Sequence, residues 1–324
     1  LTEVLRTRWG FGGFVVSDWN SISELIAHGA AADRPEAGQR ALLAGVDMDM
    51  TSEIYPKDLP KLIESGAIPL AVVDEAVRRI LRIKFALGLF ERPYADPSRE
   101  TILLAPEHRA LAREVAARSC VLLKNGGAKP YFEAGQIKVV RVDRPPLPLK
   151  KNLPALAVLG PLADNRADLL GTWSCEGEAK DVVTILEGIK TASPATKILH
   201  TAGCSIAGDD GAGIKDAVAL ARSAGLALLV LGEEQLMSGE GGSRTTLGLP
   251  GRQLELAQAV HAAGIPFVVV LLSGRPLCIP WLAEHAGAIL AAWHPGTEGG
   301  HAIADVLFGD VNPSGKTPVS WPVN

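Results

Sequence analysis

Cysteine is scarce in this chain. Its four cysteines, Cys120, Cys175, Cys204 and Cys278, include no pair at C-x-x-C spacing. Zinc knuckles and dithiol redox centres need that spacing, so neither is indicated and no metal site is expected. Positive charge is not in excess either. The 32 lysines and arginines are outnumbered by 36 aspartates and glutamates, for a formal net charge of −4. That balance gives no electrostatic basis for binding nucleic acid or a membrane surface. No apolar run reaches the roughly 18 residues that a membrane-spanning helix requires. A complete phosphate-binding loop is also missing. Gly309 and Gly315-Lys316-Thr317 resemble a Walker A loop, but five residues separate the glycines where four are required. The run Gly208-Asp209-Asp210-Gly211-Ala212-Gly213 precedes a helical pattern without following a strand, and reads as a turn. No cofactor is expected. The chain opens on Leu1-Thr2-Glu3, without a start methionine or a signal peptide, and the expectation is that the beginning of the protein is missing.

What is present is apolar and patterned. The 324 residues are 47% hydrophobic and 21% charged, as in a chain with a substantial core, and their number suits about two domains. The organising stretch is Gly13-Phe14-Val15-Val16-Ser17-Asp18-Trp19. An apolar, β-favouring run ends in a carboxylate and an indole and passes into a helical pattern, as a buried strand would. Ligands bind at that end of the strands in parallel α/β architectures. A carboxylate beside a flat ring suggests a sugar site; a helix N-cap aspartate with a packing tryptophan is the alternative.

Residues 20–44 carry helical material broken around Asp33-Arg34-Pro35. Ala44-Gly45-Val46-Asp47-Met48-Asp49-Met50 then reads as a second short strand ending in carboxylates. This order resembles consecutive units of a (β/α) barrel, which needs about eight strands to close. Residues 57–90 are helical, with Val73, Ala76, Val77, Ile80, Leu81, Ile83 and Phe85 at helical spacing. Arg78, Arg79, Arg82 and Lys84 read as a solvated face. Prolines mark residues 91–97 as a linker, so residues 1–95 and 96–324 are the expected domains. In the second, a helix at 106–118 leads to a strand at 120–123, and further apolar strands follow at 156–159, 226–231, 267–272 and 289–292. Amphipathic helices at 214–223, 252–263 and 301–308 lie between them, which argues for a mostly parallel sheet with helices on both faces.

The long loop 232–251, after the strand at 226–231, reads Gly-Glu-Glu-Gln-Leu-Met-Ser-Gly-Glu-Gly-Gly-Ser-Arg-Thr-Thr-Leu-Gly-Leu-Pro-Gly. Loops of this length in compact domains are usually functional. Its glycines flank Glu240 and let the backbone carry that carboxylate outward. Asp18 and Glu240 are therefore two carboxylates just past strand ends in separate domains. Glycoside hydrolysis needs one acid near the anomeric carbon and one near the leaving oxygen.

The motifs GFVVSDWNS (13–21), AGVDMDM (44–50), VDEAVRRIL (73–81), VLLKNGG (121–127), AVLGPLADN (157–165), LGTWS (170–174), LGEEQLMSGEGGSR (231–244), LSGRPL (272–277) and HPGTEGGHAIADVLFGDVNPSGKTPVSWP (294–322) resemble glycoside hydrolase family 3, of the bacterial periplasmic β-glucosidase type. The resemblance implies an α/β fold: the C-terminal part of a (β/α)8 barrel followed by an α/β sandwich domain with a mostly parallel sheet. It places Asp18 at the catalytic nucleophile and Glu240 at the general acid/base of a retaining mechanism. Trp19 would line the sugar subsite. Arg244, the other substrate-site candidate, more readily orients the acid/base loop than touches sugar. Asp47 and Asp49 are rival acids read as structural, and Glu298 as a helix-start residue favoured by the dipole.

The expected substrate is an oligosaccharide or aryl β-glycoside, cleaved from its non-reducing end, in the periplasm or outside the cell. A β-xylosidase of the same family and a catalytically silent carbohydrate-binding fragment are the alternatives. The family's sugar-gripping Asp, Arg and Lys-His groups belong to earlier barrel strands, so residues 1–324 alone are expected to be inactive. Residues 126–146 are longer than the family's link and are read as an irregular insertion.

Overall fold

The structure is a computed structural model describing residues 1–126, the paired backbone of 128–133 and 136–141, and residues 145–323. It divides into two compact units, Leu1–Glu100 and Thr101–Asn324.

The first unit opens on a π-helical turn, Thr2–Arg8. The two segments expected as strands meet in a single parallel bridge, Val16 to Met48. Ser17 N–H donates to Met48 O at 2.9 Å and Asp47 N–H to Val15 O at 2.8 Å. Among the described residues neither segment pairs with any other strand. Four helices follow: α1 (Ser21–Ala27), α2 (Arg34–Ala44), α3 (Ile54–Glu64) and α4 (Leu70–Ala86). The break expected at Asp33-Arg34-Pro35 is the start of α2. Asp33 accepts the Glu36 N–H at 2.9 Å, and Pro35 occupies the first turn, where its missing N–H costs nothing. Two small apolar clusters hold these helices, one around Ile22, Ala37 and Ile54, the other around Leu42, Leu59 and Ile68. The basic face of α4 is not wholly solvated. Arg79 Nη1 lies 2.8 Å from Asp47 Oδ1, and Arg82 donates to Gly12 O at 3.2 Å. Asp47 is buried, and a buried carboxylate draws cations in from the surface.

The second unit runs α5 (Pro106–Ser119), β1 (Val121–Asn125), β2 (Ala128–Glu133), β3 (Gln136–Arg141), β4 (Ala155–Leu159), α6 (Ala167–Leu170), α7 (Ile185–Ala192), β5 (Lys197–Thr201), α8 (Ile214–Ala224), β6 (Ala227–Gly232), α9 (Gln253–Ala262), β7 (Phe267–Leu272), α10 (Pro280–His285), β8 (Ala288–Ala291) and α11 (Gly299–Phe308). Six strands form one sheet in the order β1-β8-β7-β6-β4-β5. Only β1, on β8, is antiparallel. Alternate residues of the central strands face opposite layers. Leu156, Val158, Leu228, Val230, Val268 and Val270 pack with α7 and α11 through Ile185, Ile189, Ile303 and Leu307. Leu159, Leu229, Leu231, Val269 and Leu271 pack with α8 and α9 through Ala217, Ala221, Leu256 and Val260. Burial on both faces explains why these strands are continuous apolar runs rather than alternating ones. Within 126–146, β2 and β3 pair antiparallel from Ala128 opposite Arg141 to Glu133 opposite Gln136; residues 127, 134–135 and 142–144 lie outside the described residues.

The chain passes from β4 outward to the edge strand β5, then returns to the other side of β4 as β6. That reversal is a topological switch point, where the loops at the carboxyl ends of β4 and β6 diverge and leave a crevice. Glu240 lies on the second of those loops.

Candidate active site

In the first unit, Asp18 stands just beyond the Val16–Met48 bridge and is exposed. Its Oδ1 accepts the Trp19 N–H at 2.7 Å. The ring-bearing residue Trp19 is 69% exposed. Beneath them, buried Ser17 accepts the Met50 N–H at 2.8 Å and donates to Asp18 O at 2.9 Å. Asn20 N–H reaches Met50 O at 2.9 Å and Thr51 Oγ1 at 3.1 Å. Asn20, Thr51 and Glu53 all hold left-handed backbone, at φ 56°, 65° and 54°. Such conformations in residues with a side chain cost of order 1 kcal/mol each and gather at functional sites.

The rival acids next to Asp18 have other occupations. Asp47 Oδ2 accepts from Arg6 Nη2 at 2.5 Å and from Val15 N at 2.8 Å, and Oδ1 accepts from Arg79. Asp49 Oδ2 accepts the N–H groups of Ile54 at 2.8 Å and Tyr55 at 3.3 Å, and so serves the start of α3. The Tyr55 hydroxyl donates to Val46 O at 2.7 Å. Its burial, reinforced by Asp49 and Asp47, raises its pKa above the ordinary phenol range.

In the second unit, Glu240 is exposed at the tip of the β6 loop. Gly239 and Gly241 beside it have φ +96° and +74°, values that let the chain reverse on both sides of the carboxylate. Gly242 N–H closes the turn onto Gly239 O at 3.1 Å. The loop hangs from Glu233, which is fully buried at the end of β6. Glu233 accepts from Arg244 Nη1 at 2.6 Å and from Ser238 Oγ at 3.2 Å, and Arg275 Nε lies 3.4 Å from its Oε2. Arg244 also donates to Gly248 O at 3.0 Å. Both contacts of its guanidinium are thus within the loop and its buried root. From the β4 side, Thr172 Oγ1 donates to Ser238 O at 2.6 Å, and Asp168 Oδ1 accepts the Gln235 N–H at 2.7 Å. Trp173, next along, is 70% exposed.

Glu298 stands at the start of α11, as expected, but it is buried. It pairs with Arg109 Nη2 at 2.5 Å and with His301 Nδ1 at 2.7 Å. Asp168, Thr172 and Arg275 carry no signal of their own in the sequence, and Glu233 stands there, with Glu234, only as a substitute acid should Glu240 fail. Glu233 lies two residues past the apolar run Leu226–Leu231, and an acid buried there must find a cation. Among the described residues no group of three or more His, Cys, Asp or Glu side chains could hold a metal ion.

The model of the glycosyl hydrolase family 3 C-terminal domain matches residues 120–324, and that of the family's N-terminal domain matches residues 1–83. The chain belongs to glycosyl hydrolase family 3. It is 44% identical over 99% of its length to a periplasmic beta-glucosidase of Salmonella typhimurium, covering 43% of that protein. It is 35% identical to a beta-xylosidase of Formosa agariphila, over 99% of this chain and 44% of the other. The beta-glucosidase of Listeria innocua in complex with glucose superposes with a TM-score of 0.87 at 37% identity, over 99% of this chain and 42% of that one. This family 3 chain therefore spans less than half the length of the relatives it matches.

Proposed function

We propose that the protein carrying this chain is a retaining, exo-acting β-glycosidase of β-glucosidase type, with Asp18 as nucleophile and Glu240 as general acid/base. The observation that carries the reading is how the acids differ. At the ends of the apolar runs Asp47 and Glu233 are buried against arginines, whereas Asp18 is exposed two residues before the left-handed Asn20 and Glu240 is exposed between two glycines of positive φ. The first unit is then the C-terminal portion of a (β/α)8 barrel, and the second the α/β sandwich domain. Residue 18 attacks the anomeric carbon as the bond to the leaving oxygen breaks, and Glu240 gives that oxygen its proton. Water then attacks the glycosyl-enzyme while Glu240 takes the proton back, which releases Asp18. Trp19 offers the flat apolar face that a sugar ring covers. The relatives support a glucoside substrate, since the Listeria innocua enzyme has been captured with glucose and, as a mutant, with laminaribiose. The likeness to beta-xylosidases makes a terminal xyloside the second reading. A periplasmic or secreted location follows the Salmonella relative; among the described residues no helix is long and apolar enough to cross a membrane.

The test uses an active protein that carries this chain. Asp18→Ala should abolish hydrolysis of an aryl β-glucoside, with azide restoring part of the turnover as an external nucleophile. Unchanged activity in that variant would remove Asp18 from the mechanism. Glu240→Ala should lose on the order of 100-fold or more on poor leaving groups and far less on activated ones, since only the former need protonation.

A further inference from the structure

Among the described residues the Glu240 side chain has no hydrogen-bond or ion-pair partner, so the backbone of its loop is what places the residue. That backbone is gripped from outside by Arg275, in the turn after the neighbouring strand β7. The Arg275 Nη2 donates to Gly242 O at 2.8 Å and also to Met237 O. These carbonyls lie on opposite sides of Glu240 in the chain, so one guanidinium nitrogen ties together the two limbs of the turn that carries it. Arg275 is itself held in place. Ser273 Oγ donates to its carbonyl at 2.7 Å, and its Nε faces the buried Glu233 at 3.4 Å. Removing Arg275 leaves the bond between Glu233 and Arg244 intact, so the buried carboxylate keeps a cation. A planar guanidinium can face Glu233 with one nitrogen and reach the carbonyls with another, whereas an ammonium is a single point.

We propose that Arg275 is a positioning residue for proton transfer, closing the neck of the loop so that the Glu240 carboxyl meets the leaving-group oxygen. The proposal rests on the reading of Glu240 as acid/base. General acid catalysis depends on the proton being within hydrogen-bond reach, and a displacement of about 1 Å can cost on the order of 100-fold. An arginine that merely stabilised the second unit would lower the amount of folded enzyme equally for every substrate. One that positions the acid acts only where a proton is needed.

The experiment measures kcat/KM, which reports on cleavage of the glycosidic bond, for 2,4-dinitrophenyl and unsubstituted phenyl β-glucosides. The proteins are the parent enzyme, Arg275→Ala, Arg275→Lys, Glu240→Ala and the Arg275→Ala/Glu240→Ala double variant. Arg275→Ala should lose roughly 10- to 100-fold on the phenyl glucoside and only a few-fold on the dinitrophenyl one. Arg275→Lys should resemble it, and the double variant should be no slower than Glu240→Ala. Equal losses on both substrates, or losses that multiply in the double variant, would overturn the proposal. If Glu240→Ala itself shows no preference for the better leaving group, the acid/base assignment falls first and the positioning part falls with it. If Glu240→Ala shows the preference and Arg275→Ala does not, the positioning part alone is wrong. A variant too unstable to assay at the working temperature is read in the Arg275→Lys protein, which keeps a cation near Glu233.

Discussion

Several acids in this protein are buried, and arginines hold them. Asp47, Glu233 and Glu298 are each buried and each paired with an arginine, and Asp305 holds Arg113 through two contacts at 2.6 and 2.5 Å. Removing one partner of such a pair leaves an uncompensated charge, which costs about 3–5 kcal/mol. Asp47→Asn strips the charge that Arg6 and Arg79 share, so it should lower the stability of the first unit by about 3 kcal/mol. Asp18→Asn removes an exposed carboxylate and should change stability by less than about 0.5 kcal/mol. Urea unfolding of the two variants checks this, and equal effects would mean that Asp47 is not held as described. Chain position alone puts Asp18, Asp47 and Asp49 in the same kind of place, each at the end of an apolar run. Asp47 is set apart by Arg6 and Arg79, which are distant in sequence, and Asp49 by the start of α3; in the sequence, the adjacent indole and the motif resemblance are what favour Asp18.

At the scale of elements, legibility followed burial. Strands β6, β7 and β8 are covered on both faces and stand out as runs without a polar side chain. The edge strand β5, Lys-Ile-Leu-His-Thr, is exposed or only half-buried throughout and has no comparable signature in the sequence. Helix α7 carries a readable start. Thr184 and Glu187 form a reciprocal capping box, the T-x-x-E pattern that satisfies two orphan N–H groups at once. What the sequence hides there is how closely α7 meets α11. A Cβ on Gly188 would lie 2.0 Å from Gly300 O, and one on Gly300 would lie 2.0 Å from Thr184 O. The helices touch backbone to backbone, and no side chain can yield to relieve the overlap. Gly188→Ala should therefore cost about 3 kcal/mol or more, at the upper end of overpacking, despite the gain in helix propensity. A thermal midpoint within a degree or two of the parent's would refute that packing.

For the whole molecule, the two units differ in how well each buries its apolar surface. The second has a six-stranded sheet with a packed helical layer on each face. The first rests on two small clusters and a single parallel bridge. It leaves Trp9 74% and Phe85 61% exposed, with Val77, Leu87 and Phe90 also open to solvent. Few buried apolar contacts and a short ladder mean a low free energy of local opening. Two units of unequal stability should unfold in separate transitions rather than as one two-state molecule. Chain 1–324 should thus lose its first unit at the lower urea concentration, and Asp47→Asn should move that transition while leaving the second in place. Limited digestion should first release peptides from residues 1–100 and leave a resistant fragment that begins near Thr101. Mass spectrometry of the surviving fragment, with tryptophan fluorescence and circular dichroism followed through the urea titration, checks both halves of the expectation. A single coincident transition that Asp47→Asn shifts as a whole, together with equal survival of both units under protease, would mean that the units stabilise each other and unfold as one.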